Sequence, residues 1–304
     1  MLPRAMMLRK LVPLALPLLA PIAGFLACGG ENSNLPAGPP APEAPPTVAS
    51  AAAPTDTGAP SASASAAPAP MPVALTLGSA APNPPPPLPT VKILSPTKDQ
   101  VIASAKAPDS EVKLDVANWK TAMGDAHVHL ILDARPYKPI YDTKAPVKLS
   151  ELTNGDALAD GAHVLVAFPS RATHESVKTP GALTMVQFWV GKKGTDKPQD
   201  ITKPMLIYSR PKGDYKGDLA SRVLVDFQLA NDTLAPDKDK VHVTVTGTGI
   251  DSSVTADATS FGPPFYLTNL QTGSYTVKLE LMGPDGNVLP GSWNSTSRTF
   301  TVSQ

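Results

Sequence analysis

Laid against itself, the chain repeats. Val112 to Leu132 aligns without a gap on Val225 to Val245 at an offset of 113, which brings Val112 onto Val225, Ala117 and Asn118 onto Ala230 and Asn231, and Val128 and His129 onto Val241 and His242. Farther along the offset is 112: Leu158, Gly161, His163 and Leu165 fall on Leu270, Gly273, Tyr275 and Val277, and Phe188 and Val190 on Phe300 and Val302. Self-similarity over this length describes two copies of one fold rather than one large domain. Whatever the architecture is, a single copy must be able to build it. The repeat sets a first domain over 91–193, a connector over 194–203 and a second domain over 204–304.

Each copy is read as short runs of alternating or wholly apolar residues, broken by Gly, Pro, Asn and Asp, with no long stretch of helical period. The pattern predicts an all-β chain of two tandem β-sandwiches. The spacing Leu270, Gly273, Tyr275, Val277 resembles the tyrosine corner that precedes strand F of immunoglobulin-like domains, and in the first copy His163 stands where the second has Tyr275. Five or more short strands are expected in each copy, four of them assigned in order as strands B, C, F and G. In the first they lie near 112–117, 127–132, 162–168 and 184–190.

Period-two alternation assigns faces. In the second copy Val241, Val243 and Val245 point inward and His242 and Thr244 outward, which makes a wet outer face. The same parity in the first copy turns His127, His129 and Ile131, then Val164, Val166 and Phe168, then Met185, Gln187 and Trp189 outward. That face is apolar. It is either covered within the chain, by the second domain or the segment leading into it, or offered to a protein or peptide ligand with Phe168, Trp189 and Val166 as anchors.

The N-terminus constrains location. MLPRAMMLRK and the apolar run to Ala27 have the n- and h-regions of a secretory signal over 1–27. Phe25-Leu26-Ala27-Cys28 resembles the lipobox of bacterial lipoproteins, and Cys28 is the only cysteine, so lipid attachment at Cys28 is expected and no disulfide is available. An exported protein anchored in the cell envelope, in the outer membrane on the resemblance of its Gly29, is the resulting expectation. Residues 28–90 then form a disordered Pro/Ala-rich linker: Glu31 to Thr90 holds 17 of the chain's 36 prolines and too few large apolar side chains to form a core. Charge balances at 26 basic and 26 acidic residues without a clustered basic patch, which argues against nucleic acid.

Function is sought where the copies differ. His129 has a counterpart in His242, whereas His127 and His174 have none. Strands C and F are antiparallel neighbours in such a sheet, so the loop after F should carry His174 and Glu175 toward His127 and His129. Neutral imidazoles joined by a carboxylate suit Zn or Cu, and the His-x-His pair points to one side of a strand. The bland alternative is a hydrogen-bonded surface cluster. Ser170, His174 and Glu175 sit too close in one loop for a nucleophile, base and orienter, and no G-x-S-x-G, H-E-x-x-H or phosphate-loop pattern occurs, so a catalytic role is not expected.

The strings GDAHVHLILDARPY, ADGAHVLVAFPSRATHESVKT, ITKPMLIYSRPKGDYKGD and NLQTGSYTVKLELMGPDG together resemble a family of bacterial envelope lipoproteins of uncharacterised role, some of which carry a phosphopeptide-binding label. The resemblance runs from about Val91 to Val302. It implies an anion site, for which Ser170 with Arg171, and Arg210 with Lys212, are the available donors; pairing of Arg171 with Glu175 and of Arg210 with Asp214 is the ordinary alternative. The reading as a whole is a non-catalytic, lipid-anchored protein with two immunoglobulin-like binding or structural modules, with metal binding and phosphopeptide binding as alternatives.

Overall fold

The computed structural model describes residues 71–303, so the signal peptide, Cys28 and the linker up to residue 70 lie outside the described residues. The first strand, β1 (Ala74–Leu77), precedes both copies of the repeat. The first copy then supplies β2 (Thr90–Ser95), β3 (Val101–Ile102), β4 (Glu111–Ala117), β5 (His127–Leu132), β6 (Lys138–Ile140), β7 (Val147–Lys148), β8 (Gly161–Ser170) and β9 (Thr184–Val190). The second supplies β10 (Met205–Arg210), β11 (Gly213–Lys216), β12 (Val223–Ala230), β13 (Lys240–Gly247), β14 (Val254–Ala258), β15 (Phe265–Thr268), β16 (Gly273–Met282) and β17 (Ser295–Ser303).

Each copy is a sandwich of two sheets. In the first, β2-β4-β7 faces β3-β9-β8-β5-β6; in the second, β15-β12-β10 faces β11-β17-β16-β13-β14 in the equivalent order. The first strand of each copy, strand A, divides into β2 and β3 or β10 and β11, its second part pairing in parallel with the last strand, β3 on β9 and β11 on β17. These are two tandem immunoglobulin-like sandwiches. The repeat extends to backbone detail, because Asn118 and Asn231 both close strand B at positive φ, 59° and 56°. Asparagine tolerates that conformation better than most residues. Each uses its amide to hold the segment leading into strand A, Asn118 on the Leu88 carbonyl and Asn231 on those of Ile201 and Lys203.

The cores follow the alternation. Val128, Leu130, Leu132, Leu165, Phe188 and Val190 fill the first sandwich, and Val241, Val243, Val245, Tyr275, Val277 and Phe300 the second. The Tyr275 hydroxyl donates to the Gln271 carbonyl at 2.9 Å and accepts from the Gln271 amide, which is the tyrosine corner. His163 makes the matching contact in the first copy: its Nε2 donates to the carbonyl of Ala159, also four residues back, at 2.8 Å.

A third apolar cluster lies between the domains. The outward side chains Ile131, Val164, Val166 and Phe168 meet Met205, Ile207, Ala230 and Trp293 of the second copy. The face that alternation left bare is thus covered within the chain, with Phe168 and Val166 at 0% exposure and Trp189 at 1%. A ligand face built on Phe168, Trp189 and Val166 is accordingly corrected to an inter-domain interface, with Gly194 of the connector lying against the Trp189 ring. Fully burying such a side chain is worth about 1.5–3 kcal/mol, so leaving this face in water would be costly.

The linker reading is also corrected at its end. β1 pairs antiparallel with β15, Ala74 opposite Thr268 through Leu77 opposite Phe265, and becomes the outer strand of the second domain's smaller sheet. Val73 enters the second core and Leu75 packs against it. The chain therefore visits the second domain before it builds the first.

Candidate functional site: a three-histidine centre beside the domain interface

β5 and β8 are in register with His127 opposite Ser170 and His129 opposite Phe168, so the loop leaving β8 starts directly beside the two histidines. That loop is a tight reversal. Ser170 bridges to Ser176, the Arg171 amide donates to the Glu175 carbonyl at 3.0 Å, and His174 sits at φ 66° with its own amide on the Arg171 carbonyl. The left-handed backbone at His174 turns its ring back over β5.

Three ring nitrogens converge there. His129 Nε2 lies 3.0 Å from His127 Nε2, and His174 Nδ1 lies 3.1 Å from the same His127 Nε2, with all three within 4.8 Å of one another. Two imidazoles on one ion, with bonds near 2.0–2.1 Å and a tetrahedral angle, would stand about 3.3 Å apart. The protons can be assigned for His127: a carbonyl only accepts, so Nδ1–H donates to the Asp125 carbonyl at 2.8 Å and Nε2 is left with its lone pair. His129 has the Ser209 hydroxyl of the second domain on its Nδ1 at 3.1 Å, a partner that can donate or accept and so serves either tautomer of the ring. Such outer contacts orient a histidine and fix which nitrogen faces the metal.

All three are held neutral. Desolvation is the first cause in each; the charges of Arg210 and Lys212 lower all three and neighbouring histidines lower His129 and His174, while the hydrogen bond to the Asp125 carbonyl works the other way at His127. His129 lies well below the usual imidazole value, His127 below it, and His174 down to about 3. Neutral imidazole is the form that ligates.

The walls are aromatic. The Tyr137 ring stacks on His129 at 3.5 Å with 11° between planes, Phe168 stands edge-on to it at 5.3 Å, and Tyr141 is 5.1 Å from His127. The Tyr137 hydroxyl is 3.3 Å from His174 Nδ1. Lys212 Nζ lies over the Tyr137 ring at 4.1 Å and donates to the Tyr137 carbonyl at 2.6 Å, and Arg210 is 5.3 Å from the same ring.

The second copy shows what is special here. His242, the counterpart of His129, is opposite Asp257 across its strand pair and hydrogen-bonds that carboxylate at 2.6 Å, an ordinary surface pair. In the first copy the residue opposite His129 is Pro139. Where His242 has a carboxylate, His129 has two imidazoles and a tyrosine ring.

Other expected site residues are placed elsewhere. Glu175 does not join the centre; its Oε1 accepts from the amide of Ala81, on the segment running from β1 to β2. Arg171 donates to the carbonyls of Pro82 and Ser176, and Ser170 Oγ to that of Arg171, so Arg171 is tied to backbone carbonyls and does not pair with Glu175. Arg210 donates to the Tyr215 hydroxyl rather than to Asp214, and Lys212 to Tyr137. The four donors of the expected anion site are thus split between two places, each with at least one bond to an internal acceptor, and Arg210 Nε is buried without one. Sequence reasoning missed Tyr137, Tyr141 and Ser209. The A-R-P-Y run after β5 was the available signal, since a turn there returns a tyrosine to the strand it follows.

No family model matches the chain, and no curated protein does. Among solved structures it is similar to the fibronectin(III)-like modules of Clostridium thermocellum CbhA, at 16% identity over 71% of this chain and 95% of that one, with a TM-score of 0.24. It is likewise similar to a two-domain fibronectin type III segment of chicken tenascin (10% identity, 70% and 98% covered, TM-score 0.22) and to the D00-D0 domain of intimin (10%, 71% and 100%, TM-score 0.23).

Proposed function

We propose that this protein is a non-catalytic, lipid-anchored envelope module whose two immunoglobulin-like domains hold a transition-metal ion at His127, His129 and His174. The observation that carries the reading is the convergence of three neutral ring nitrogens at 3.0 and 3.1 Å, two of them with their remaining nitrogen already hydrogen-bonded. Zn and Cu are the ions that such a donor set suits.

The signal-like leader, the lipobox-like run ending at Cys28 and the proline-rich stretch after it support export and a lipid anchor. With the apolar face covered and the arginines engaged internally, a peptide or phosphopeptide ligand has no observation in its favour. Metal analysis of the purified chain after exposure to Zn or Cu tests the reading: one ion per chain is expected, and His174→Ala should weaken retention at least tenfold. Absence of either ion from the folded wild-type protein would rule the reading out.

A further inference from the structure

The charges around the three histidines go further than the ligand set. We propose that the centre is built for a monovalent ion, cuprous copper, in preference to a dication; this rests on the metal reading above.

Three observations carry it. First, all three donors are neutral and, among the described residues, no carboxylate joins them. Those adjoining the histidines in sequence are engaged elsewhere, Glu175 with the Ala81 amide and Asp125 with the amide of Ala126. A dication here would keep its full double charge, and the cost of burying charge rises steeply with its magnitude. His127 and His129 are both at 0% exposure.

Second, two cations stand close by. His129 occupies one face of Tyr137 at 3.5 Å, which leaves the opposite face for Lys212 Nζ at 4.1 Å, with Arg210 at 5.3 Å. Only one ring separates the Lys212 ammonium from the histidines. Their repulsion of a bound ion doubles when its charge does.

Third, the donor count is low. Zinc in protein sites is almost always four-coordinate, through protein ligands or an open position for water. The centre offers three imidazoles, and its sides are taken by Tyr137, Phe168 and Tyr141. Cuprous ion shares the filled d shell of zinc but carries half its charge, and three neutral nitrogens satisfy it. Entry is available at the loop, where His174 is half-buried beside exposed Ala172 and Thr173.

The test is a pair of competition titrations on the folded chain: cuprous ion against a bicinchoninate competitor without oxygen, and zinc against a chromophoric chelator. One cuprous ion per chain is expected, bound at least about 100-fold more tightly than zinc, and Lys212→Met should strengthen zinc binding about tenfold while changing cuprous binding less. Zinc binding as tight as cuprous binding would overturn the charge argument and leave the metal reading standing. Zinc binding that Tyr137→Phe abolishes would also overturn it, by identifying a phenolate as the anion a dication needs. Binding of neither ion by a chain with a native circular-dichroism spectrum would end both.

Discussion

Lys178 and Asp226 come from different domains and meet at 2.5 Å, their side chains 9% and 0% exposed. The same carboxylate accepts the Ser176 amide at 3.0 Å, so one buried acid holds both the strand leading into β9 and the cation beside it. Removing one member of such a pair leaves a buried charge without its partner. Lys178→Met is expected to destabilise the chain by about 3–5 kcal/mol, and Lys178→Met with Asp226→Leu to recover much of that. Urea unfolding measures both; a single-variant cost below about 1 kcal/mol would mean the pair is solvated in solution.

Phe168 joins the interface to the three-histidine centre. It is fully buried among Ile131, Val166 and Ile207, and its ring is edge-on to His129. Phe168→Ala should cost about 3–5 kcal/mol by opening a cavity. It should also loosen His129, so that metal affinity falls although no ligand has been touched. Unchanged affinity in a destabilised variant would show that the histidines are positioned by β5 alone.

A deletion of residues 71–82 should weaken the domain it does not adjoin in sequence. It removes β1 together with Val73 and Leu75 from the second core and bares the edge of β15. The expected result is loss of the second domain's stability first, seen as an added early unfolding transition, with self-association through the freed edge. A single transition at the wild-type midpoint would show that β1 contributes no stability.

His163 gives the chain a pH-dependent increment. Burial works against its charge, but the hydrogen bond and charge of Asp133 at 2.6 Å outweigh that and hold it above the usual imidazole value. A base raised in the folded state favours folding while protonated. Its contribution is therefore whole below about pH 6.5 and fades as pH climbs through the raised folded value. With chelator present, the stability gap between wild type and His163→Gln should be widest in mild acid and narrow toward alkaline pH. A constant gap would assign His163 to packing only.

Much of this was legible in the residues because period-two alternation and the repeat are local signals. Val128, Leu130 and Leu132 pointing inward fixed His127 and His129 outward, and the antiparallel neighbour placed the loop with His174 beside them. What alternation could not supply was the environment of polar residues. Asp226 and Gln228 alternate with Val225, Phe227 and Leu229 and so read as a wet face, yet they are 0% and 2% exposed and bond Lys178 and the Val177 carbonyl across the interface. Glu175 and Arg171 were misread for a related reason: their partners, Ala81 and Pro82, lie in a stretch whose composition resembles the tether before it. β1 itself is four residues with no repeat partner, and nothing local says that its complement lies beyond the other domain.

The position of β1 also sets an order of events. The Asn269 side chain reaches the Pro72 carbonyl across 197 positions of sequence, and the strand pairing beside it spans almost as far. A chain made from its N-terminus produces this strand before either sandwich, and nearly all of the rest must follow before its partner exists. Contacts this distant close late, because the loop between them must be ordered first. Until then the first domain can form alone, its apolar flank uncovered, while the earliest described residues wait for almost the last.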